Sequence, residues 1–371
     1  METAGTQLAL ETPLAALHRN ARAKLGLWFG CVLPDDFGDW QREYSFAKQS
    51  VALIDKNYRA YISFTGPDRT RYLNAVLTND IKILQLSQGT LSLLLNPQGR
   101  ILAEMETHAQ PDKLFCVSYA MIRERLIETL DKFIIMDDVT LTDDTQRYGT
   151  LALEGPEAPK VLMELAGVDP HALADFRSAE IQVESIPCTI TRKSFGPILA
   201  VDILTARENL ESLWKILAAK TAAAAGGPIG YNALNALRLE QGIPWFGYDF
   251  SDKQIPHEAG LQDSHISYTK GCYTGQEIVE RVRSRGQVNR RRVDLIFPGS
   301  GVPGINEILM ADGKEVGFVT LASAVPSRPF AIGMGYLRKE NNPHGSQVGW
   351  AGGIAKVAKF PDDFASIENL A

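Results

Sequence analysis

The hydrophobic and polar positions of the chain repeat one pattern twice. "YISFTGPDRTRYLNAVL", from Tyr61, and "TLALEGPEAPKVLMELA", from Thr150, each run from a β-rich segment through Gly-Pro-acid into apolar residues at helical spacing. Pro67 and Pro156 suit a first helical turn, where a missing N–H costs nothing. Asp68 and Glu157 favour the positive end of a helix dipole, and Thr65 with Asp68 has the spacing of a cap. Each copy continues into β-rich segments and a second amphipathic helix, "SYAMIRERLIETLDKFI" and "ARENLESLWKILAAKT". Strand, helix, strands, helix describes a ferredoxin-like half, so the pattern reads as an internal duplication. The plainer reading is that Gly-Pro-acid is a common helix start occurring twice.

Further on, "AAAAGGPIG" marks a hinge at 222–227, and a helix is expected from Tyr231 to Gln241, stopped by Gly242. After Arg292 the chain turns to short alternating runs, such as "RVDLIFPG", "KEVGFVTLASAV" and "FAIGMGYLR", separated by Gly, Pro and Asp. These predict a small antiparallel barrel. The fold class is therefore α+β: two ferredoxin-like domains in tandem and a C-terminal antiparallel β-barrel. The expected boundaries are an N-terminal extension over 1–46, a first domain over 47–145, a second over 146–288 and the barrel over 289–371.

Composition narrows the function. Hydrophobic residues make up 45% and charged residues 22% of 371, a balance that buries a substantial core. The net charge of −6 makes nucleic acid an unfavoured partner. Cys31, Cys116, Cys188 and Cys272 form no CxxC pair, which predicts neither zinc nor disulfides and suits a reducing compartment. With no signal-peptide pattern and no apolar run of membrane length, a cytoplasmic protein without a membrane partner is expected.

Chemistry concentrates in "KGCYTGQEIVER", residues 270–281. Thr274 and Glu277 have capping-box spacing, which would start a helix just after Cys272 and favour its thiolate. Lys270 would add to this if its ammonium turns the same way. Alternatively Cys272 is a buried small hydrophobe, as Cys31, Cys116 and Cys188 are expected to be. "RVRSRGQVNRRR" gathers Arg281, Arg283, Arg285, Arg290, Arg291 and Arg292, either a solvated face or a site for a polyanionic tail or RNA backbone. His257 and His265 stand near Glu258 and Asp263 at no metal-ligand spacing and read as structural or exposed. No GxGxxG, Walker or GxSxG motif occurs.

"LRLEQGIPWFGYDF", "IPHEAGL", "TKGCYTGQEIVERVRSRGQVNRR" and "KEVGFVTLAS" together resemble the YgfZ-type folate-binding proteins, relatives of the glycine-cleavage T-protein, an aminomethyltransferase. "TGPDRTRYLNAVLTNDI" and "LLNPQGRILAEM" match the same GcvT-like superfamily more loosely. The resemblance runs from about Ala47 to Lys359 and finds no counterpart for the residues before it. It implies the GcvT-like fold around a channel that binds tetrahydrofolate, which can carry a polyglutamate tail. It also implies a role as an accessory factor in iron–sulfur cluster assembly or repair, with iron–sulfur clients as partners. Cys272 would be the functional cysteine, supported by Lys270, Gly271, Tyr273, Gly275, Gln276 and Glu277. Arg238, Trp245, Tyr248 and Glu258 are the candidate folate contacts, each with a packing role as the alternative.

Two departures count against transfer chemistry of the T-protein kind. Where that family has an aspartate in G-G-I-x-D-D, this chain has Ala103 and Glu104, and Glu104 would serve only after a one-residue slip. Where it has Ala-Arg-Asp, this chain has "ALN" at 233–235. A folate-dependent aminomethyltransferase or one-carbon transferase is therefore the alternative. It predicts that Cys272 is dispensable and that a carboxylate near Glu104 is not. A third reading, a binding protein that uses its arginine run, predicts salt-sensitive binding and indifference to folate.

Overall fold

The structure, a computed structural model, describes residues 9–193 and 198–367. Near the N-terminus, β1 (Leu10–Glu11), β2 (Lys24–Trp28) and β3 (Cys31–Asp36) form a small sheet in the order β1-β3-β2. The β2–β3 turn places Phe29 and Gly30 at φ 52° and 73°. A paired left-handed conformation is what a two-residue hairpin turn requires.

Two larger sheets follow. The strands β4 (Ala52–Asp55), β5 (Arg59–Thr65), β6 (Gly89–Leu95), β7 (Ile101–Ala109), β8 (Leu114–Tyr119) and β9 (Thr140–Asp143) precede the second half. That half contains β10 (Tyr148–Glu154), β11 (Ser178–Val183), β12 (Ile186–Lys193), β13 (Ala200–Ala206) and β14 (Gly227–Pro228). The first sheet has the order β6-β7-β8-β5-β9, the second β11-β12-β13-β10-β4-β14. In each, an antiparallel meander, β6-β7-β8 or β11-β12-β13, ends on a strand that pairs with the one opening the unit, β5 or β10, as the duplication predicts; β14 joins β4 in parallel.

The units also exchange strands. β4 leads into β5 but pairs with β10 of the second sheet, whereas β9 leads into β10 but pairs with β5 of the first. The connecting residues 56–58 and 144–147 therefore cross between the sheets. Lys56 N donates to Thr150 O at 3.1 Å, and the Tyr61 hydroxyl lies 2.7 Å from Thr150 Oγ1.

Alternation along the strands decides what lies between the sheets. Ile62, Phe64, Ala103 and Met105 face helices Arg69–Val76 and Arg123–Phe133 in one apolar core. Leu151, Leu153, Val201 and Ile203 face helices Ala158–Ala166 and Leu210–Ala223 in another. The opposite faces carry Arg59, Glu104, Glu106 and Asp202 and look toward each other.

The expected hinge at 222–227 is instead a packed crossing. The helix runs on to Ala223, and a Cβ on Gly226 would come within 2.0 Å of Val51 O. Helix Tyr231–Glu240 then ends where Gly242 takes φ 69°. β15 (Arg290–Pro298), β16 (Ile308–Ala311), β17 (Lys314–Ala324), β18 (Phe330–Arg338), β19 (Gln347–Trp350) and β20 (Gly353–Ala358) close a barrel in the order β15-β18-β17-β16-β19-β20. Leu239 joins the barrel to that helix through Ile332 and Met334. Among the described residues, no helix is long and apolar enough to cross a membrane.

Candidate active site

A cavity lies between the two sheets and helix Tyr231–Glu240, with Tyr58, Arg59, Glu104, Tyr119, Arg238 and Trp245 in its wall. Its floor rests on a set of ion pairs, two of which bridge the sheets. Lys193 of β12 pairs with Glu106 of β7, and Arg59 Nη1 of β5 meets Asp202 of β13 at 2.6 Å. Lys56 reaches Glu154 at 2.9 Å and Asp202 at 3.2 Å. Burial pushes the Glu106 carboxyl up, but Lys193, His108 and Arg59 outweigh it and hold the group well below the usual carboxylate range. Asp202 is lowered in the same way, with Arg59 and then Lys56 overcoming burial.

Glu104 differs from these carboxyls. Its Oε2 accepts from the Tyr119 hydroxyl at 2.7 Å, and its Oε1 lies 3.0 Å from His265 Nε2. Burial first, and then Glu104, pushes the Tyr119 phenol well above its ordinary value. No register slip is needed to bring Glu104 here. Ala103 is buried in the helix-facing core and Glu104 takes the opposite face of β7. The E-x-E alternation of "AEMET" carried that signal. His265, read from sequence as structural or exposed, is 4% exposed and touches the cavity carboxyl. Nothing in its local sequence announces this.

Aromatic rings surround this region. Phe29 stacks on Tyr58 at 4.2 Å and meets Trp245 and Tyr248 edge-on, both at 5.1 Å. The N-terminal hairpin thus packs behind the wall, against Tyr58 and Trp245.

Of the four candidate folate contacts, Arg238 and Trp245 line the cavity. Arg238 stacks over the Trp245 ring at 4.6 Å, pairs with Asp249 and donates to Ile243 O at 3.0 Å. Burial lowers its pKa, with Asp249 opposing. Its Nη2 is buried without a partner. Tyr248 packs behind the wall and accepts from Phe29 N at 3.3 Å. Glu258 lies elsewhere, paired with Arg290 at 3.1 Å and Arg100 at 3.4 Å beside the barrel.

The 270–285 segment is arranged otherwise than its sequence suggested. Cys272 is exposed and does not line the cavity. Lys270 turns away from the thiol and donates to Asn74 O, Leu77 O and Asn79 O at 2.6, 2.5 and 2.9 Å. These are carbonyls at the open end of helix Arg69–Val76, and burial lowers the Lys270 pKa to about 8. The Thr274–Glu277 capping box does not form. Gly275 is the N-cap at φ 83° with no side-chain cap bond, and helix Gln276–Arg285 follows. A Cβ on Gly275 would lie 2.7 Å from Asn96 O, which explains that glycine. Tyr273 is buried beneath Lys270, its ring 5.2 Å from Nζ, whereas Gly271 has open space around it. Glu277 is exposed and pairs with Arg281, four residues on, at 2.6 Å.

The arginine run is not one patch. Arg283 lies 4.1 Å over the Tyr268 ring, and Arg292 donates to Ala259 O at 2.9 Å. Arg285 and Arg291 are exposed. No group of three or more His, Cys, Asp or Glu could hold a metal ion among the described residues.

Sheets, barrel and cavity together define a GcvT-like architecture, and known proteins agree. The chain is similar to the crystal structure of glycine cleavage system aminomethyltransferase T from Bartonella henselae, with a TM-score of 0.86 at 22% identity over 95% of this chain and 98% of that one. The GCVT N-terminal domain family matches residues 14–265, well over half of the chain, and the chain belongs to that family. It is 26% identical to the aminomethyltransferase of Rubrobacter xylanophilus over 329 residues, 89% of this chain and 87% of the relative. It is 27% identical to that of Lysinibacillus sphaericus, over 87% and 88%.

These relatives correct two expectations. The family match begins at residue 14, so most of the N-terminal segment has a counterpart. The proteins it matches over nearly their full length are aminomethyltransferases, which overturns the reading as an iron–sulfur accessory factor.

Proposed function

We propose that this chain is a tetrahydrofolate-dependent transferase of the T-protein class, moving an aminomethyl or other one-carbon unit. The observation that carries the proposal is the Glu104 carboxyl, set in a ring-lined cavity with both oxygens engaged. Tetrahydrofolate fits the surrounding groups. Trp245, Tyr58 and Tyr119 would hold its flat ring system. The unpaired Arg238 Nη2 would donate to a ring carbonyl, since a buried donor left without an acceptor costs about 1–3 kcal/mol. Bound tetrahydrofolate supplies the amine that accepts the one-carbon unit. Glu104 stands where a carboxyl can hold or take a proton from that amine. Tyr119 orients it, and the Arg59–Asp202 and Lys193–Glu106 pairs keep the floor rigid.

Within this reading, the K-G-C-Y-x-G-Q-E string supports a YgfZ-type branch of the superfamily and serves as a buttress. Lys270 closes one helix, and Gly275 backs the turn that leads into β7. A polyglutamate tail has support only from basic residues such as exposed Arg285 and Arg291. A cytoplasmic location is supported by four free cysteines.

The test pairs Glu104→Gln with Cys272→Ala in the full chain. Tetrahydrofolate binding is measured by calorimetry, and folate-dependent release of ammonia from an aminomethyl donor measures transfer. Glu104→Gln should bind within a few-fold of wild type and lose about 10²–10⁴-fold in rate; Cys272→Ala should match wild type in both. A fully active Glu104→Gln protein, or a wild type that does not bind folate, would refute the proposal.

A further inference from the structure

We propose that His265 is a positioning residue for Glu104, holding the cavity carboxyl in the orientation that transfer requires; this rests on the transferase reading above. Unlike Glu106, Asp202 and Glu154, Glu104 makes no ion pair with lysine or arginine among the described residues. Its orientation is set instead by two single contacts, Tyr119 on Oε2 and His265 Nε2 on Oε1.

The imidazole is itself fixed from two sides. Its Nδ1 lies 2.7 Å from Ser264 Oγ, which suits a ring that carries its proton on Nε2 and donates to Glu104. Its backbone carbonyl accepts from Thr78 Oγ1 at 2.6 Å, and that same hydroxyl accepts from Leu93 N at 2.8 Å. Leu93 is the residue of β6 directly opposite Glu104 in the β6–β7 ladder. Thr78 thus references the imidazole, at the end of the short helix Gln262–His265, to the very strand pair that carries the carboxyl. A side chain buried and anchored in this way holds its partner without needing to touch a substrate.

The experiment uses full-length wild type, His265→Ala, His265→Gln, Glu104→Gln and the Glu104→Gln/His265→Ala double variant. With transfer as the readout, His265→Ala should lower kcat roughly 10–100-fold, the range for losing an outer partner or misplacing a reacting group. KM for tetrahydrofolate should change less than about threefold, because uniform binding is untouched. His265→Gln keeps a donor and should recover most of the rate. The double variant should be no slower than Glu104→Gln, as expected when one residue acts through the other.

A second readout needs no turnover: the infrared carboxylate stretch of ¹³C-glutamate-labelled protein, assigned through Glu104→Gln. The Glu104 band should shift in His265→Ala and return toward wild type in His265→Gln. An unmoved band, or rate losses that multiply in the double variant, would overturn the proposal. If wild type neither binds folate nor transfers, the transferase reading fails while the infrared result still decides whether His265 holds Glu104. Should His265→Ala not fold, His265→Gln and its band carry the same decision.

Discussion

Beneath the cavity, Arg59, Glu106, Lys193 and Asp202 come from four strands of two sheets and pair with one another, with Lys56 and His108 joining them. In the segment around residue 272, the thiol is exposed while Lys270 and Tyr273 turn inward onto the first domain. The first region has no contiguous motif and the second has the most distinctive string in the chain. A functional reading drawn from the string alone puts the chemistry on the thiol. The packing instead brings charged residues from scattered positions together under the cavity, and it turns Lys270 and Tyr273 of the string away from the thiol. Distinctiveness along the sequence reflects tight local geometry as readily as chemistry, and Gly275 at φ 83° against Asn96 O shows it.

The largest test of this contrast is the ion network. Asp202→Ala removes the carboxylate shared by Lys56, Arg59 and Lys193 and leaves buried cations short of a partner. A loss of about 3–5 kcal/mol in unfolding free energy by denaturant titration is expected. The pH dependence has a definite sign. Glu106 and Asp202 titrate lower folded than unfolded. Their contribution is complete well above the unfolded carboxylate value of about 4 and is lost as pH falls through the lowered folded values. Wild type should therefore weaken steadily below about pH 4, and Asp202→Asn should show a shallower acid slope. A variant with unchanged stability would mean that the sheets are held by their apolar contacts alone.

A smaller effect belongs to Lys270. Lys270→Met removes a donor from three carbonyls at the end of helix Arg69–Val76 and should cost about 2–4 kcal/mol, read by the same titration. Here too the sign is fixed. Burial lowers the folded pKa to about 8, against about 10.4 unfolded. Between those values the unfolded chain still holds a proton that the folded chain has released, so wild-type stability should rise with pH across the window. Lys270→Met should flatten that rise. If instead the substitution left stability and its pH dependence untouched and altered only thiol reactivity, Lys270 would belong to Cys272 after all.

The fold was legible in sequence where local rules govern it. The helix starts after each Gly-Pro-acid, the Gly242 stop and the turn-separated runs after Arg292 act within a few residues and are present, although Pro67 and Pro156 precede the N-caps Asp68 and Glu157 and neither cap makes a side-chain bond. Glu104 was half legible, because period-two alternation sets its face even though motif matching suggested a slip. The exchange of β4 and β9 was not legible, since pairing across so many residues leaves no local mark. His265 had none either. A lone histidine says nothing until Thr78 and Leu93 fix where it points. The Phe29–Gly30 turn offered only its glycine, so the packing of the hairpin behind the aromatic wall went unseen.

The smallest expected effect concerns the thiols, and it returns to the same contrast. Burial pushes Cys31 and Cys116 up to about 12 and Cys188 to about 11, so few thiolates form on them near neutral pH. Cys272 is the exposed one of the four. An alkylating reagent on the native protein should label Cys272 first and spare the other three until unfolding, as read by peptide mass mapping. Cys272→Ser changes an exposed side chain and should move stability by no more than about 0.5 kcal/mol. Cys116→Ser would bury a hydroxyl between sheet and helices, beside Thr107 Oγ1 at 3.4 Å, and should cost about 1–3 kcal/mol. Labelled wild type and Cys272→Ser should both retain transfer activity, because the thiol lies outside the cavity wall. If labelling abolishes transfer while Cys272→Ser preserves it, the added bulk obstructs an approach to the cavity, and the exposed loop is a rim rather than a reactant. Loss of activity in Cys272→Ser itself would move the chemistry back to the string, and the division of labour between the two regions would fail.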